Sequence, residues 1–270
     1  MDTGMRGSVA LVTGASGDIG AEIARSLAAE GVHLVLHCHR NIDAALALQS
    51  EPAIAQVRSI VVQADLTQED QVQHIWNRAQ NELGPITILI ANAGIYRAER
   101  IPIKNMSLTE WNSTLQTNLT AIFLCFREFF RSIEQNKLVD PSAVMVGSMS
   151  GVWGDIGHCD YAASKAAITS GLLPTLKDEL VKIAPRGRIN AVAPGFIDTR
   201  MIAEVKQDRA QMRRVLQTAS LRRVGTVQDV AGLVTFLASN KLSAHMTGEI
   251  VKLKGGKEGR ILFDESEIDI

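Results

Sequence analysis

Short apolar runs alternate with longer amphipathic stretches along nearly the whole chain, and this alternation limits the possible folds most. Residues 8–13 read as a buried strand, and 19–30 as an amphipathic helix closed by Gly31. Further strands are expected over 32–38, 59–64, 86–91, 143–146, 189–192 and 249–254. Helical patterns cover 68–83, stopped by Gly84-Pro85, then 109–133, 161–183 and 227–238. Strands that alternate with helices predict an α/β fold, one doubly wound parallel sheet with helices on both faces. Ligands of such sheets bind beyond the carboxyl ends of the strands. Pro174 falls inside one helical pattern, where it removes a backbone donor and crowds the Ser170 carbonyl, so a kink is expected there.

The 270 residues show no low-complexity linker and no internal repeat, and 46% of them are hydrophobic, enough for a substantial core. A net charge of −1 gives no footprint for nucleic acid or an anionic membrane. No apolar run approaches the ~20 residues that span a bilayer, and the first residues carry no apolar signal segment. Three unspaced cysteines, Cys38, Cys125 and Cys159, argue against a disulfide framework or zinc site and fit a reducing, cytoplasmic setting. The composition shifts only in the acidic tail, 257–270, which reads as a frayed end or as a segment docked at a subunit interface.

Chemistry concentrates at two places. Tyr161 and Lys165 stand four residues apart in a helix-favouring segment, one above the other on one face. A neighbouring ammonium is expected to lower the tyrosine's pKa from ~10, so that the phenol exchanges a proton with an alcohol or ketone. The first strand runs into Thr13-Gly14-Ala15-Ser16-Gly17-Asp18-Ile19-Gly20, a glycine-rich turn that opens a helix. Such a turn brings backbone amides and a positive helix end to a pyrophosphate.

With these motifs the chain resembles the short-chain dehydrogenase/reductase family from about Ser8 to Gly256, and within it the 3-oxoacyl-carrier-protein reductase-like branch. The family's turn reads T-G-x-x-x-G-x-G. Thr13, Gly14 and Gly20 match, whereas Asp18 replaces the middle glycine and Gly17 lies one place early. A carboxylate beside a pyrophosphate is unfavourable unless it points away or caps the helix amides, and the cap is the reading preferred here. Ala64-Asp65-Leu66 resembles the adenine-binding aspartate segment, and Asn92-Ala93-Gly94 the N-A-G motif after the fourth strand. Asn118 resembles the catalytic-helix asparagine. Ser148, thirteen positions before Tyr161, resembles the catalytic serine, with Ser150 in the substrate loop. Pro194, Gly195, Ile197 and Thr199 match the turn at the nicotinamide end.

The resemblance implies a Rossmann-type fold in which 1–270 is a single dinucleotide-binding and catalytic domain. It implies hydride transfer between nicotinamide and a small carbonyl substrate. Tyr161 exchanges the proton, and Lys165 lowers its pKa and holds the ribose. Ser148 holds the substrate oxygen, and Asn118 fixes a water that links Lys165 to solvent. Ser16, Gly17, Asp18 and Ile19 line the pyrophosphate site with the turn's glycines. NAD-dependent relatives carry an acidic residue at the end of the second strand, where this chain has Cys38. His39 and Arg40 follow and suit a 2′-phosphate, which favours NADP(H) over NAD(H). Substrate segments correspond to 95–101, 149–160 and 196–224, with Tyr96, Trp153, His158, Met201 and Ile202. Arg131 keeps one carrier-docking position, but Asp178 reverses the charge at the other, so a carrier-protein partner is not favoured. An NAD-dependent alcohol, sterol or sugar dehydrogenase is the alternative, and a non-catalytic nucleotide-sensing scaffold is a further one. The resemblance implies a homotetramer, and the apolar residues of 109–133 occupy more than one helix face, which leaves one stripe available to a partner.

Overall fold

A computed structural model describes residues 2–202, 208–259 and 261. The chain runs β1 (Val9–Val12), α1 (Asp18–Ala29), β2 (His33–Cys38), α2 (Ile42–Gln49), β3 (Ser59–Gln63), α3 (Glu69–Glu82), β4 (Ile88–Ala91). It continues as α4 (Leu108–Leu115), α5 (Ala121–Asn136), β5 (Ser142–Val146), α6 (Ser150–Trp153), α7 (Cys159–Ala166), α8 (Leu173–Ile183), β6 (Arg188–Pro194). Helices α9 (Arg209–Gln217) and α10 (Val227–Ala238) precede β7 (Ile250–Leu253).

These strands form one parallel seven-stranded sheet in the order β3-β2-β1-β4-β5-β6-β7. Successive strand residues point to opposite faces, and both faces are covered, which is why the strands read as unbroken apolar runs. Leu11, Val35, Leu89 and Met145 pack with Ile75 of α3 and with Phe126 and Phe129 of α5. Val12, Leu36, Ile90 and Val144 face the other way, towards Ile23 and Leu27 of α1 and Val230 and Val234 of α10. The strand order reverses between β1 and β4, so the crevice at the carboxyl ends opens there.

The structure adds elements that the periodicity left as loops. α2 has eight residues, started by Asn41, whose side chain accepts from the Ala44 amide at 3.1 Å. α6 and α9 are likewise short. The two long helices are interrupted by π-helical turns, Gln116–Thr120 between α4 and α5 and Ala167–Leu172 between α7 and α8. The disturbance expected at Pro174 therefore lies upstream of it. The wider turn lets α8 begin afresh, and Pro174 falls in its first turn, where a missing N–H is tolerated. Among the described residues no helix is long and apolar enough to cross a membrane. The acidic tail from 262 onward and the substrate-segment residues 203–207 lie outside the described residues.

Candidate active site

The glycine-rich turn is held by contacts that admit no side chain. Gly14 has φ +69°, and a Cβ there would meet the Ala93 Cα at 3.1 Å. A Cβ on Gly20 would lie 2.2 Å from the Gly14 carbonyl oxygen, so the first turn of α1 seats directly on the loop. Thr13 ties the turn to β4. Its Oγ1 donates to the Ile90 carbonyl (3.1 Å) and accepts from the amides of Asn92 (2.9 Å) and Ala93 (3.0 Å). Asn92 Nδ2 returns a bond to the Thr13 carbonyl at 2.9 Å.

Asp18 does not cap α1. Gly17 holds the cap position and makes no side-chain bond. The Asp18 carboxylate instead accepts from the Arg200 backbone amide and from Arg200 Nε, both at 2.7 Å. Arg200 also donates to the Ser16 carbonyl at 3.3 Å. The expected cap is thus replaced by an ion pair between the turn and the segment after β6: Asp18 is the first residue of α1 and not the one before it, so its carboxylate is not at the capping position and meets Arg200 instead.

At the end of β2 the Cys38 side chain is fully buried, and burial pushes its thiol up. His39 and Arg40 are exposed, and His39 Nε2 lies 3.9 Å from Asp65 Oδ2. Asp65 Oδ1 accepts from the Thr67 amide and hydroxyl at 2.9 and 2.8 Å. Partial burial would raise this carboxyl, but the Thr67 bonds and the nearby His39 and Arg40 charges carry it below the usual range. Ala64 and Leu66 beside it are buried.

On the opposite side of the crevice the structure brings together Asn118, Ser148, Tyr161 and Lys165. Ser148 stands beside the Tyr161 hydroxyl, and its Oγ accepts from the Ser150 amide at 3.1 Å, while Ser150 Oγ turns away to Asp155 at 3.0 Å. Lys165 is buried, and its Nζ donates to the Val146 carbonyl at 2.9 Å. A Cβ at Gly94 would lie 3.1 Å from Asn118 Oδ1 and 3.4 Å from Lys165 Nζ, so a side chain there would press on both groups. Asn118 sits in the π-helical turn. Its Oδ1 accepts from Ile95 N (2.7 Å), and its Nδ2 donates to Ile95 O (2.9 Å) and Ser164 Oγ (3.3 Å). Both donors of the carboxamide are engaged by protein, so it clamps the loop after β4, while its Oδ1, which accepts from Ile95 N, has a second lone pair.

The expected lowering of the tyrosine pKa is reversed. Burial pushes the Tyr161 phenol up to about 12, the Ser148 hydroxyl opposes this, and Asp155 adds to it. Desolvation is also what brings Lys165 down to about 8. The helical spacing places the pair on one face, but the ammonium points to Val146 and lies 5.8 Å from the phenol ring centre. Removal from water therefore sets both shifts.

The substrate side is walled by aromatic rings. Tyr96 meets Tyr161 edge-on (4.9 Å, 80°) and stacks on His158 (4.5 Å, 21°). The buried Asp160 carboxylate receives the Arg97 guanidinium and the Thr114 hydroxyl, fastening the 95–101 loop to α4 and α7. Trp153 lies under Lys254 Nζ at 5.1 Å, and Met201 is exposed. Pro194 ends β6 and receives the Met149 amide at 2.9 Å. Gly195 N donates to Leu253 O (2.8 Å), Ile197 bridges to Gly225, and Thr199 Oγ1 donates to Ile197 O at 3.3 Å. The sequence reading missed Arg200 as the partner of Asp18, and it missed His37, whose ring joins the turn to the end of β3. Neither carried a local signal, since both contacts are distant in sequence.

The family model for short chain dehydrogenases matches residues 8–210. The chain belongs to the short-chain dehydrogenase family. This short-chain dehydrogenase is 33% identical over 255 residues to a 3-oxoacyl-[acyl-carrier-protein] reductase of Synechocystis, covering 94% of this chain and 98% of that relative. It is also 33% identical to the Escherichia coli 3-oxoacyl-[acyl-carrier-protein] reductase FabG, over 93% of this chain and 97% of the relative. Among solved structures it is similar to a 7α-hydroxysteroid dehydrogenase complexed with NADH and 7-oxo glycochenodeoxycholic acid. That match has a TM-score of 0.85 and 27% identity, and it covers 95% of this chain and 96% of the other. The chain is an oxidoreductase of this family with a seven-stranded Rossmann-type sheet.

Proposed function

We propose that this short-chain dehydrogenase reduces a small ketone or 3-oxoacyl-type carbonyl to the alcohol with NADP(H). The observation that carries the reading is the Tyr161 phenol, next to Ser148, held protonated by burial and with the Lys165 ammonium 5.8 Å from its ring centre. An acid that keeps its proton at neutral pH is suited to giving it to a carbonyl oxygen. In this reading Ser148 hydrogen-bonds the same oxygen and stabilises its developing charge, and Tyr161 delivers the proton as the carbonyl carbon becomes tetrahedral. Lys165 donates one proton to Val146 and keeps two N–H groups for ribose hydroxyls. Asn118 holds the loop on which Tyr96 stands.

The glycine-only contacts at Gly14 and Gly20, and the close approach at Gly94, fit a backbone cradle for an elongated dinucleotide. Gly14, Ser16, Gly17, Ile19 and Gly20, with the Asp18 amide, would hold the pyrophosphate. Ala64, Asp65 and Leu66 would hold the adenine, and Asn92, Ala93 and Gly94 the middle. Pro194, Gly195, Ile197 and Thr199 would hold the nicotinamide end, which supplies the hydride when bound. The exposed Arg40 cation, with the His39 imidazole beside it, favours a 2′-phosphate.

A second reading, NAD-dependent oxidation of an alcohol, is favoured by the likeness to a steroid dehydrogenase solved with NADH. A carrier-linked substrate has the Synechocystis and Escherichia coli relatives in its favour. Against it, Arg131 is paired with Glu128, and the acidic Asp178 stands at the second docking position. A panel of carbonyl substrates with NADPH and NADH separates these readings. Arg40→Ala should cut the NADPH preference by about tenfold to a hundredfold, the worth of one charged contact; an unchanged ratio removes Arg40 from the argument. The same reading takes 1–270 as one cytoplasmic domain that assembles as a homotetramer through its long helices, where Phe123 and Val181 are exposed.

A further inference from the structure

His37 is among the most buried polar groups of the chain, 2% exposed, and the chemistry above makes no use of it. It lies near the end of β2, paired with Val62 of β3. Its Nδ1 accepts from the Gly14 amide at 3.1 Å, and its Nε2 lies 3.0 Å from the Ala64 carbonyl oxygen. An amide only donates and a carbonyl only accepts, so these partners fix the neutral tautomer with hydrogen on Nε2. The main chain repeats the connection, since Ala15 N donates to His37 O (2.8 Å) and Ala64 N to Cys38 O (3.0 Å). Gly14 begins the glycine-rich turn, and Ala64 precedes Asp65 at the end of β3.

We propose that His37 is a positioning residue for the dinucleotide, holding the pyrophosphate turn and the adenine-side strand end at a fixed separation through one neutral imidazole. This rests on the proposed cofactor reading and deepens it. The ring is well suited to the task. Burial brings its pKa down to about 4; the Ala64 bond and Asp65 oppose this, and His39 reinforces it. It therefore stays an acceptor towards Gly14 across the neutral range, and a protonated ring would place a donor against the Gly14 donor. An apolar residue at 37 would leave the Gly14 amide and the Ala64 carbonyl without this partner inside the protein. The Gly14 turn, already restricted by its contact with Ala93, would then be free to shift away from the β3 end.

The test compares His37→Leu, which removes both bonds, with His37→Gln, whose Oε1 and Nε2 repeat the acceptor and donor. NADPH and NADH dissociation constants are read by nucleotide fluorescence at a temperature where circular dichroism shows each variant folded. His37→Leu should weaken binding of the preferred nucleotide about tenfold or more, the worth of one to two hydrogen bonds. Its kcat at saturating nucleotide should stay within about twofold of wild type, and His37→Gln should recover most of the affinity, as exchange of equivalent partners predicts. If His37→Leu does not fold, His37→Asn, too short to reach both partners, takes its place in the same comparison. Unchanged affinity in the bond-deleting variant, or equal losses in it and His37→Gln, overturns the inference alone. Wild-type protein that binds neither nucleotide overturns the cofactor reading and this inference with it.

Discussion

The interior of the crevice side above β1, β2 and β3 is fastened by neutral groups, with the Asp18–Arg200 ion pair only at its exposed rim, and the side above β5 and α7 by ionisable ones. Thr13, Asn92 and His37 exchange bonds with backbone amides and carbonyls, so they set shape and are indifferent to pH through the neutral range. Tyr161 and Lys165 are held with protonation equilibria displaced by burial in opposite directions, the phenol up and the ammonium down. Neutral fastening serves binding, because its geometry persists whatever the state of the substrate. Displaced proton affinities serve turnover, because they decide which group gives a proton and which keeps it.

The comparison breaks most easily at Tyr161. Tyr161→Phe should lower kcat by roughly 10²–10⁴ while nucleotide affinity stays within about twofold, because the ring and its packing against Tyr96 remain. Near wild-type turnover in this variant would remove the acid from the mechanism, and lost nucleotide affinity would erase the division between the two sides.

A smaller effect sharpens the electrostatic half. Lys165 loses its proton near pH 8 when folded and near 10.5 when unfolded. Between those values the unfolded chain binds more protons, so this group makes stability rise with pH, by up to roughly 3 kcal/mol over the window. Urea unfolding at pH 7.5 and pH 10 should show a larger gain for wild type than for Lys165→Met. Parallel behaviour would mean that the ammonium is better solvated than its burial implies.

The smallest effect belongs to the Asp18–Arg200 pair, whose arginine is largely exposed. Asp18→Asn should destabilise by no more than about 1 kcal/mol, and salt should erase the difference. A loss that persists at high salt would make the pair a structural strut of the glycine-rich side.

Much of this was legible in the sequence, for reasons that also explain what was not. The strands announced themselves because burial on both faces leaves no polar alternation to blur them. Gly14 and Gly20 stand where only glycine fits, so the turn was readable from residue type alone. Tyr161 and Lys165 were found by spacing, yet spacing gave the wrong sign for the phenol, since four residues of helix say nothing about desolvation. His37 was hidden inside an apolar strand whose two buried faces make any residue look like packing. Arg200 lies 182 positions from Asp18, beyond any local pattern. The eight residues of α2 are too few to display a period, and their start depends on one capping asparagine.

The π-helical turn Gln116–Thr120 has a consequence for how this chain tolerates insertions and deletions. Such a turn holds about one residue more than an α-helical turn, and one residue is about 100° of rotation. The helix is thereby split into two phases: α4 and Asn118 are aligned with the crevice, and Phe126 and Phe129 of α5 with the sheet. Deleting one residue from the turn would restore an unbroken α-helical ladder and still damage the protein. Either the Asn118 carboxamide would swing away from Ile95, or the two phenylalanines would leave the core. The extra residue behaves as a phase shifter, and regularising the helix would be the harmful change.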